Sequence, residues 1–254
     1  MVKRLLAVLV FILITVWAVP SDCFMLMGRR NGFMGNDSYT KLLLHFNGTD
    51  GATSTSDASR SGHSVTFESN AQLDTAYKQL GSSSLLLDGT DDRIKIADSD
   101  DFAFGTENFT VDFWLLMHTV EDASFYGQFT SSTNTVDLYY STSKLIMSFK
   151  VGGVTKASYW TTDSVSISQD TWYHIAFVRN GTTGLILVNG VSKTLTESVA
   201  FGTNDVGNIA ADLYIGAYGS TPTLPLDGQI DEFRISKGIA RWTANFTPPA
   251  YEYR

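Results

Sequence analysis

The stretch that decides the fold lies near the end of the chain: "DGQIDEFRISKG", Asp227 to Gly238. Apolar and polar residues alternate through most of it, the pattern of a β-strand with two unlike faces. In a regular strand Asp231 shares a face with Phe233 and Ile235, and Glu232 shares the other with Arg234. Glu232 and Arg234 then read as a solvated pair on a polar face. Asp231 falls on the apolar side, where a carboxylate needs hydrogen bonds or a cation. Two readings stand: donation from the N–H groups of a loop, or a structural calcium ion, which favours Asp and carbonyl oxygens. The adjacent carboxylates point opposite ways, so they do not form a catalytic pair.

The same kind of segment recurs along the chain. "KLLLHF" (Lys41–Phe46), "SVTF" (Ser64–Phe67), "SSLLLDG" (Ser83–Gly89) and "DRIKIA" (Asp92–Ala97) are short and bounded by turn residues. In "NFTVDFWLLMH" the residues Phe109, Val111, Phe113 and Leu115 repeat with period two. "TVDLYYS", "KLIMSFKVGG", "VTKASYW", "TWYHIAFVRNG", "GLILVNGVSKTL" and "DLYIGAYG" follow. Asn189-Gly190 between apolar runs is a hairpin signal. One helical turn is expected in "KGIARWTANFTPP", stopped by Pro248-Pro249. About a dozen strands at this spacing imply an all-β sandwich or barrel.

The N-terminus reads differently. Lys3 and Arg4 precede an apolar run from Leu5 to Val19, followed by small residues. This is the pattern of a secretory signal peptide, assigned to residues 1–21, and the run is short for a spanning helix. Residues 22–39 read as a flexible lead-in, and the folded domain as residues 40–250. Secretion or an extracellular surface is the expected location, with membrane contact only through an uncleaved signal segment. Cys23 is the one cysteine, so no internal disulfide forms. It leaves open an intermolecular bridge and a homo-oligomer. The net charge is −8, without a basic cluster in the folded part, which argues against nucleic acid as a partner.

Taken in order, "LLLHFNGTDG", "SSSLLLDGTDDRIKIADSDDFAFGTENFTVDFWL", "TWYHIAFVRNG", "LILVNG", "LYIGAY" and "GQIDEFRISKGIARWTANFTPP" resemble the laminin-G-like jelly-roll domain of the concanavalin A-like lectin/glucanase superfamily. The resemblance runs from about Thr40 to Pro249. It implies a jelly-roll sandwich of two antiparallel sheets with five to seven strands each, often with one structural calcium. It places a calcium ligand at Asp231 and a second near Asn47, where Asp is common in the family. Asp88 is a further candidate, with a turn role before Gly89 as the alternative.

The fold hosts lectins, adhesion modules, structural modules and glycanases, so function has to come from the site. Glycanases of this kind place two spaced carboxylates on one strand. The six Glu of this chain, at 68, 107, 121, 197, 232 and 252, form no such pattern, and no G-x-S-x-G occurs. The expectation is a non-catalytic module that binds carbohydrate or an extracellular surface partner. The alternative is a structural or assembly protein of an extracellular layer or a phage virion. Aromatics near turns are the candidate ligand contacts: Tyr139, Tyr140, Tyr159, Trp160 and Tyr218. The broad sheet faces, rich in Ser and Thr, offer little beyond hydrogen bonds. Trp114 and Trp172 read as core, His174 as a half-buried imidazole, and His63 as exposed.

Overall fold

The computed structural model describes residues 35–219 and 221–254; the expected signal segment and Cys23 lie outside them. Sixteen strands occur among the described residues: β1 (Thr40–Leu44), β2 (Val65–Glu68), β3 (Gln72–Asp74), β4 (Ser84–Asp88), β5 (Arg93–Ile96), β6 (Phe109–Met117), β7 (Ala123–Ser131), β8 (Asn134–Ser141), β9 (Lys144–Val151), β10 (Val154–Thr161), β11 (Tyr173–Asn180), β12 (Thr183–Val188), β13 (Val191–Ser192), β14 (Leu195–Val199), β15 (Leu213–Ile215) and β16 (Asp227–Lys237). The 3-10 turn at Asp100–Phe102 is capped by Ser99. The stretch after β16, expected to hold a helical turn, is irregular instead.

The strands form two eight-stranded sheets. Sheet A runs β13-β12-β11-β6-β16-β4-β3, with β1 also pairing β16. Sheet B runs β14-β10-β9-β8-β7-β15-β5-β2. All pairings are antiparallel, as expected for a jelly-roll sandwich, although each sheet is larger than the five to seven strands expected. Between the sheets lies one apolar core. Phe109, Val111, Phe113 and Leu115 of β6 meet Val136 and Leu138 of β8 and Leu145, Met147 and Phe149 of β9. Phe113 stacks on Phe233 at 5.3 Å. Asn189 and Gly190 both take positive φ in the β12–β13 turn, as a tight hairpin of this type requires.

β16 departs from a regular strand between Asp231 and Arg234. Asp231 pairs with Trp114 and Arg234 with Asp112, so three steps on β16 span two on β6. The extra residue is Glu232, at φ +52°. Such a bulge resets the alternation. Ile230, Phe233 and Ile235 face the core. Asp231 therefore lies on the opposite side from Phe233 and Ile235, contrary to the regular-strand expectation. The bulge also marks a change of partner. β4 pairs residues 227–230 of β16, and β1 takes over at Phe233.

The Glu232/Arg234 pair is not solvated, because the outer face of sheet A is covered. Ala240, Trp242 and Phe246 pack over Ala176, Val178 and Leu187. The backbone N–H groups of Gly35 and Asn36 donate to the Arg254 carbonyl, tying residue 35 to residue 254. Beneath this cover Arg234 Nε and Nη2 donate to Asp112 at 2.9 and 3.1 Å. Tyr253 Oη donates to the same carboxylate at 2.5 Å. His174 is fully buried rather than half-buried, ringed edge-on by Trp114, Trp242 and Phe246. Burial alone would raise the Asp112 carboxyl, but Arg234 and His174 outweigh it and hold it below the usual range. Burial holds the His174 imidazole below its ordinary value.

Candidate functional site

Two features combine exposed or unsatisfied chemistry with a rigid frame: the outer face of sheet B, and a notch beside the β16 bulge.

On sheet B the parity of each strand decides what faces outward. Val136, Leu138 and Tyr140 of β8 enter the core, so Thr135, Asp137 and Tyr139 face away from it. By the same parity Ile146, Ser148 and Lys150 of β9 and Ser158 and Trp160 of β10 face outward. The register aligns these residues in rows. Ser124, Tyr139, Ile146, Trp160 and Thr196 lie side by side across five strands. Tyr214, Gly127, Asp137, Ser148 and Ser158 form the neighbouring row. Tyr139 and Trp160 are thus two strand spacings apart, about 10 Å. Both are half-buried and keep part of their surface in solvent.

The loop between β15 and β16 closes one side of this face. Tyr218 lies against Gly127, where even a Cβ would come within 2.9 Å of its ring, and meets Phe129 edge-on at 5.1 Å. Burial, with Asp137 nearby, pushes the Tyr218 hydroxyl up to about 12. The result is a floor of Ser148, Ser158 and Asp137 bordered by Tyr139, Trp160 and Tyr218.

The five candidate aromatics therefore separate. Tyr139, Trp160 and Tyr218 share the outer face of sheet B, on the broad sheet surface rather than at the rim. Tyr140 and Tyr159 do not join them. Tyr140 is 4% and Tyr159 2% exposed, both in the core. Tyr140 donates to the Val165 carbonyl, and Tyr159 Oη accepts from the Phe201 N–H. Strand alternation forces this split, since each is the sequence neighbour of an outward residue. Asp137, Ile146, Ser148 and Ser158 were not singled out in the sequence; the signal for Asp137 and Ser158 was the spacing of two residues from Tyr139 and Trp160, while Ile146 and Ser148 join the face only through cross-strand register. Trp172, expected in the core, is half-buried, as is His63, which pairs with Asp101.

At the notch, the loop ahead of β4 caps Asp231. The N–H groups of Gln79 and Leu80 donate to Oδ2 at 3.0 and 2.8 Å. Its other oxygen, Oδ1, is buried without a hydrogen-bond partner. Burial pushes this carboxyl up to about 8. Next to it, His45 Nδ1 lies 2.5 Å from Glu232 Oε1, while Glu232 Oε2 accepts from the Tyr253 N–H. Burial disfavours a charged His45, yet the bond to Glu232 outweighs it and raises the ring's value. Asn47 donates to Glu252 and accepts from the N–H and hydroxyl of Ser82. Ligand atoms of His45, Glu232 and Glu252 all lie within 4.8 Å of one another.

The unpartnered Asp231 oxygen lies outside that cluster, and the oxygens of Glu232, Glu252 and Asn47 are engaged by His45, Tyr253, Asn47 and Ser82; oxygens of this kind are the type a hard cation takes. Asp88 does not belong to this group. Asp88 pairs with Asp227, four residues along β16 from Asp231, and clusters with Asp91 and Asp92 instead. Its Oδ1 accepts from the Thr90 N–H, the turn role weighed for it.

A family model described as the concanavalin A-like lectin/glucanases superfamily matches residues 88–241, more than half of the chain. The chain belongs to this superfamily. No curated protein matches its sequence. Among solved structures, this superfamily member resembles domain 4 of AbnA, a GH43 extracellular arabinanase from Geobacillus stearothermophilus, in complex with arabinotriose. The TM-score is 0.58 at 16% identity, over 79% of this chain and 93% of that one. It also resembles the binding domain of botulinum neurotoxin serotype D, with TM-score 0.56 and 16% identity over 80% of this chain and 49% of that one. The serotype G binding domain gives 0.56 and 14%, over 78% and 48%. The chain thus spans nearly all of the arabinanase domain and about half of the toxin domains. At these identities the likeness establishes the concanavalin A-like fold.

Proposed function

We propose that this chain is a secreted, non-catalytic carbohydrate-binding module whose ligand lies across the outer face of sheet B. The observation that carries the reading is the row that sets Tyr139 and Trp160 about 10 Å apart on a half-exposed, serine-floored surface, with Tyr218 at its side. Sugar rings stack on flat aromatic faces, and the intervening hydroxyls bond ring substituents. The arabinotriose bound to a structural relative, and the binding role in the names of the toxin domains, support the same reading. The lack of a spaced carboxylate pair in the sequence supports a module without hydrolytic activity. The natural partner is then a glycan of a cell or extracellular surface.

The reading is tested by a glycan array followed by calorimetry on the best ligand. Trp160→Ala is expected to weaken binding tenfold or more, a change of about 1.4 kcal/mol, with the fold retained. A Trp160→Ala protein that binds as tightly as the parent overturns it.

We also propose one structural calcium ion at the notch, held by Asp231 with Glu232, Glu252 and Asn47. The unpartnered, buried Asp231 Oδ1 supports this. The ion would neutralise carboxylates that otherwise repel one another where β16 changes partner.

A further inference from the structure

One carboxyl sits in a row of the sheet B face whose other charge, Lys95 on β5 beyond Tyr214, is paired with Asp212. Asp137 lies between Ser148 on β9 and Gly127 on β7, the residue that Tyr218 covers, and two residues before Tyr139. Its side chain is 8% exposed. Oδ1 accepts from Ser124 Oγ at 2.6 Å. Among the described residues, Oδ2 has no hydrogen-bond partner and the carboxyl forms no ion pair. A nearly buried carboxyl with a free oxygen is costly unless something completes its bonding. That oxygen opens onto the surface bordered by the three aromatics.

The neighbouring groups do not supply the missing partner. β7 presents Ser124 and Gly127, and the covering loop presents Tyr218. β8 itself adds Tyr139, and β9 adds Ser148 with Lys150 one diagonal away, level with Thr135. Asp122, ahead of β7, is bonded to Ser141 and Thr142. Burial pushes the Asp137 carboxyl up to about 8, so near neutral pH it carries a proton and both donates and accepts. A sugar hydroxyl does the same.

We propose that Asp137 is a ligand contact of this face: its free oxygen meets a ring hydroxyl of a glycan lying across Tyr139 and Trp160. This rests on the carbohydrate-binding reading above. Binding then holds while Asp137 keeps its proton and weakens as pH rises past about 8, where the ionised carboxylate has to be buried under ligand.

The test uses the full chain and three neutral saccharides: arabinotriose, xylotetraose and cellotetraose. Calorimetry at pH 6, 7 and 9.5 compares the parent with Asp137→Asn, Asp137→Ala and Trp160→Ala, each checked for folding by its thermal melt. The parent is expected to bind a neutral probe about equally at pH 6 and 7 and about tenfold more weakly at pH 9.5. Asp137→Asn, which keeps a donor and an acceptor, should bind without that pH dependence. Asp137→Ala should bind about tenfold more weakly than the parent does at pH 7, and equally at all three pH values. If Asp137→Ala binds like the parent while Trp160→Ala fails, the role of Asp137 is overturned and the carbohydrate reading stands. If no saccharide binds any variant, the carbohydrate reading falls, and this inference with it.

Discussion

Removing Asp112 should do more damage than any surface change in the molecule. Asp112 is fully buried, and three donors converge on it: Arg234 Nε, Arg234 Nη2 and Tyr253 Oη. Asp112→Ala leaves the Arg234 guanidinium, 2% exposed, without its counter-charge. Breaking one partner of a buried pair costs about 3–5 kcal/mol. The Tyr253 hydroxyl loses its acceptor as well, which adds about 1 kcal/mol. The ring contacts of Arg234 with Tyr253 at 3.6 Å and Trp242 at 5.4 Å persist and offset part of this. We expect a net loss of about 4 kcal/mol, measured by urea unfolding followed through tryptophan fluorescence. For a domain of this size the melting temperature should fall by roughly 8–16 °C. The double variant Asp112→Leu/Arg234→Met removes both charges and should recover most of the loss, because no uncompensated charge remains buried. A single-variant loss below about 1.5 kcal/mol, or a double variant no better than the single, refutes the reasoning.

The remaining expectations concern pH, metal and backbone. The folded state holds His174 below its ordinary value, so the unfolded chain takes up that proton first; relative to His174→Gln, the urea midpoint of the parent should decline as pH drops below about 6.5. The lowered Asp112 value adds stability that is present above pH 3.8 and should disappear only in stronger acid. Chelator should lower the melting temperature of the parent but not of Asp231→Ala, and a chelator-insensitive parent shown by elemental analysis to be metal-free would remove the calcium. Gly228→Ala drives a Cβ to 2.1 Å from the Leu116 carbonyl oxygen and should cost more than about 2 kcal/mol. Gly62→Ala, with open space around it and φ +62°, should cost only about 1 kcal/mol in a parallel melt.

Much of the fold follows from local pattern. The period-two run of β6, the Asn189-Gly190 turn and the ordered segments resembling one family sufficed for a two-sheet sandwich. β7 escaped because "ASFYGQFTS" carries a bulge between Ser124 and Tyr126 that breaks its alternation. The faces of β16 were misread for the same physical reason: one bulged residue, Glu232, exchanges sides for everything before it. Burial of Arg234 and His174 depends on cover from residues 240–254, a distant contact that no local window contains. The aromatic site was half legible. Tyr139 and Trp160 were found by type, but only cross-strand register shows that they share a row, and only parity removes Tyr140 and Tyr159.

The bonds from Gly35 and Asn36 to the Arg254 carbonyl bring the two ends of the described fold to one place. A domain whose entry and exit points touch behaves as a pendant: it can be inserted into a surface loop of another protein without spreading that loop apart, since the host need bridge only a few ångströms. The same closeness governs its mechanics. Tension applied between residues 35 and 254 is borne first by those few terminal bonds, in series, so the ends peel apart before any load reaches the long central strands. The face of sheet B, built on β7 to β10, is therefore insulated from pulling at the termini.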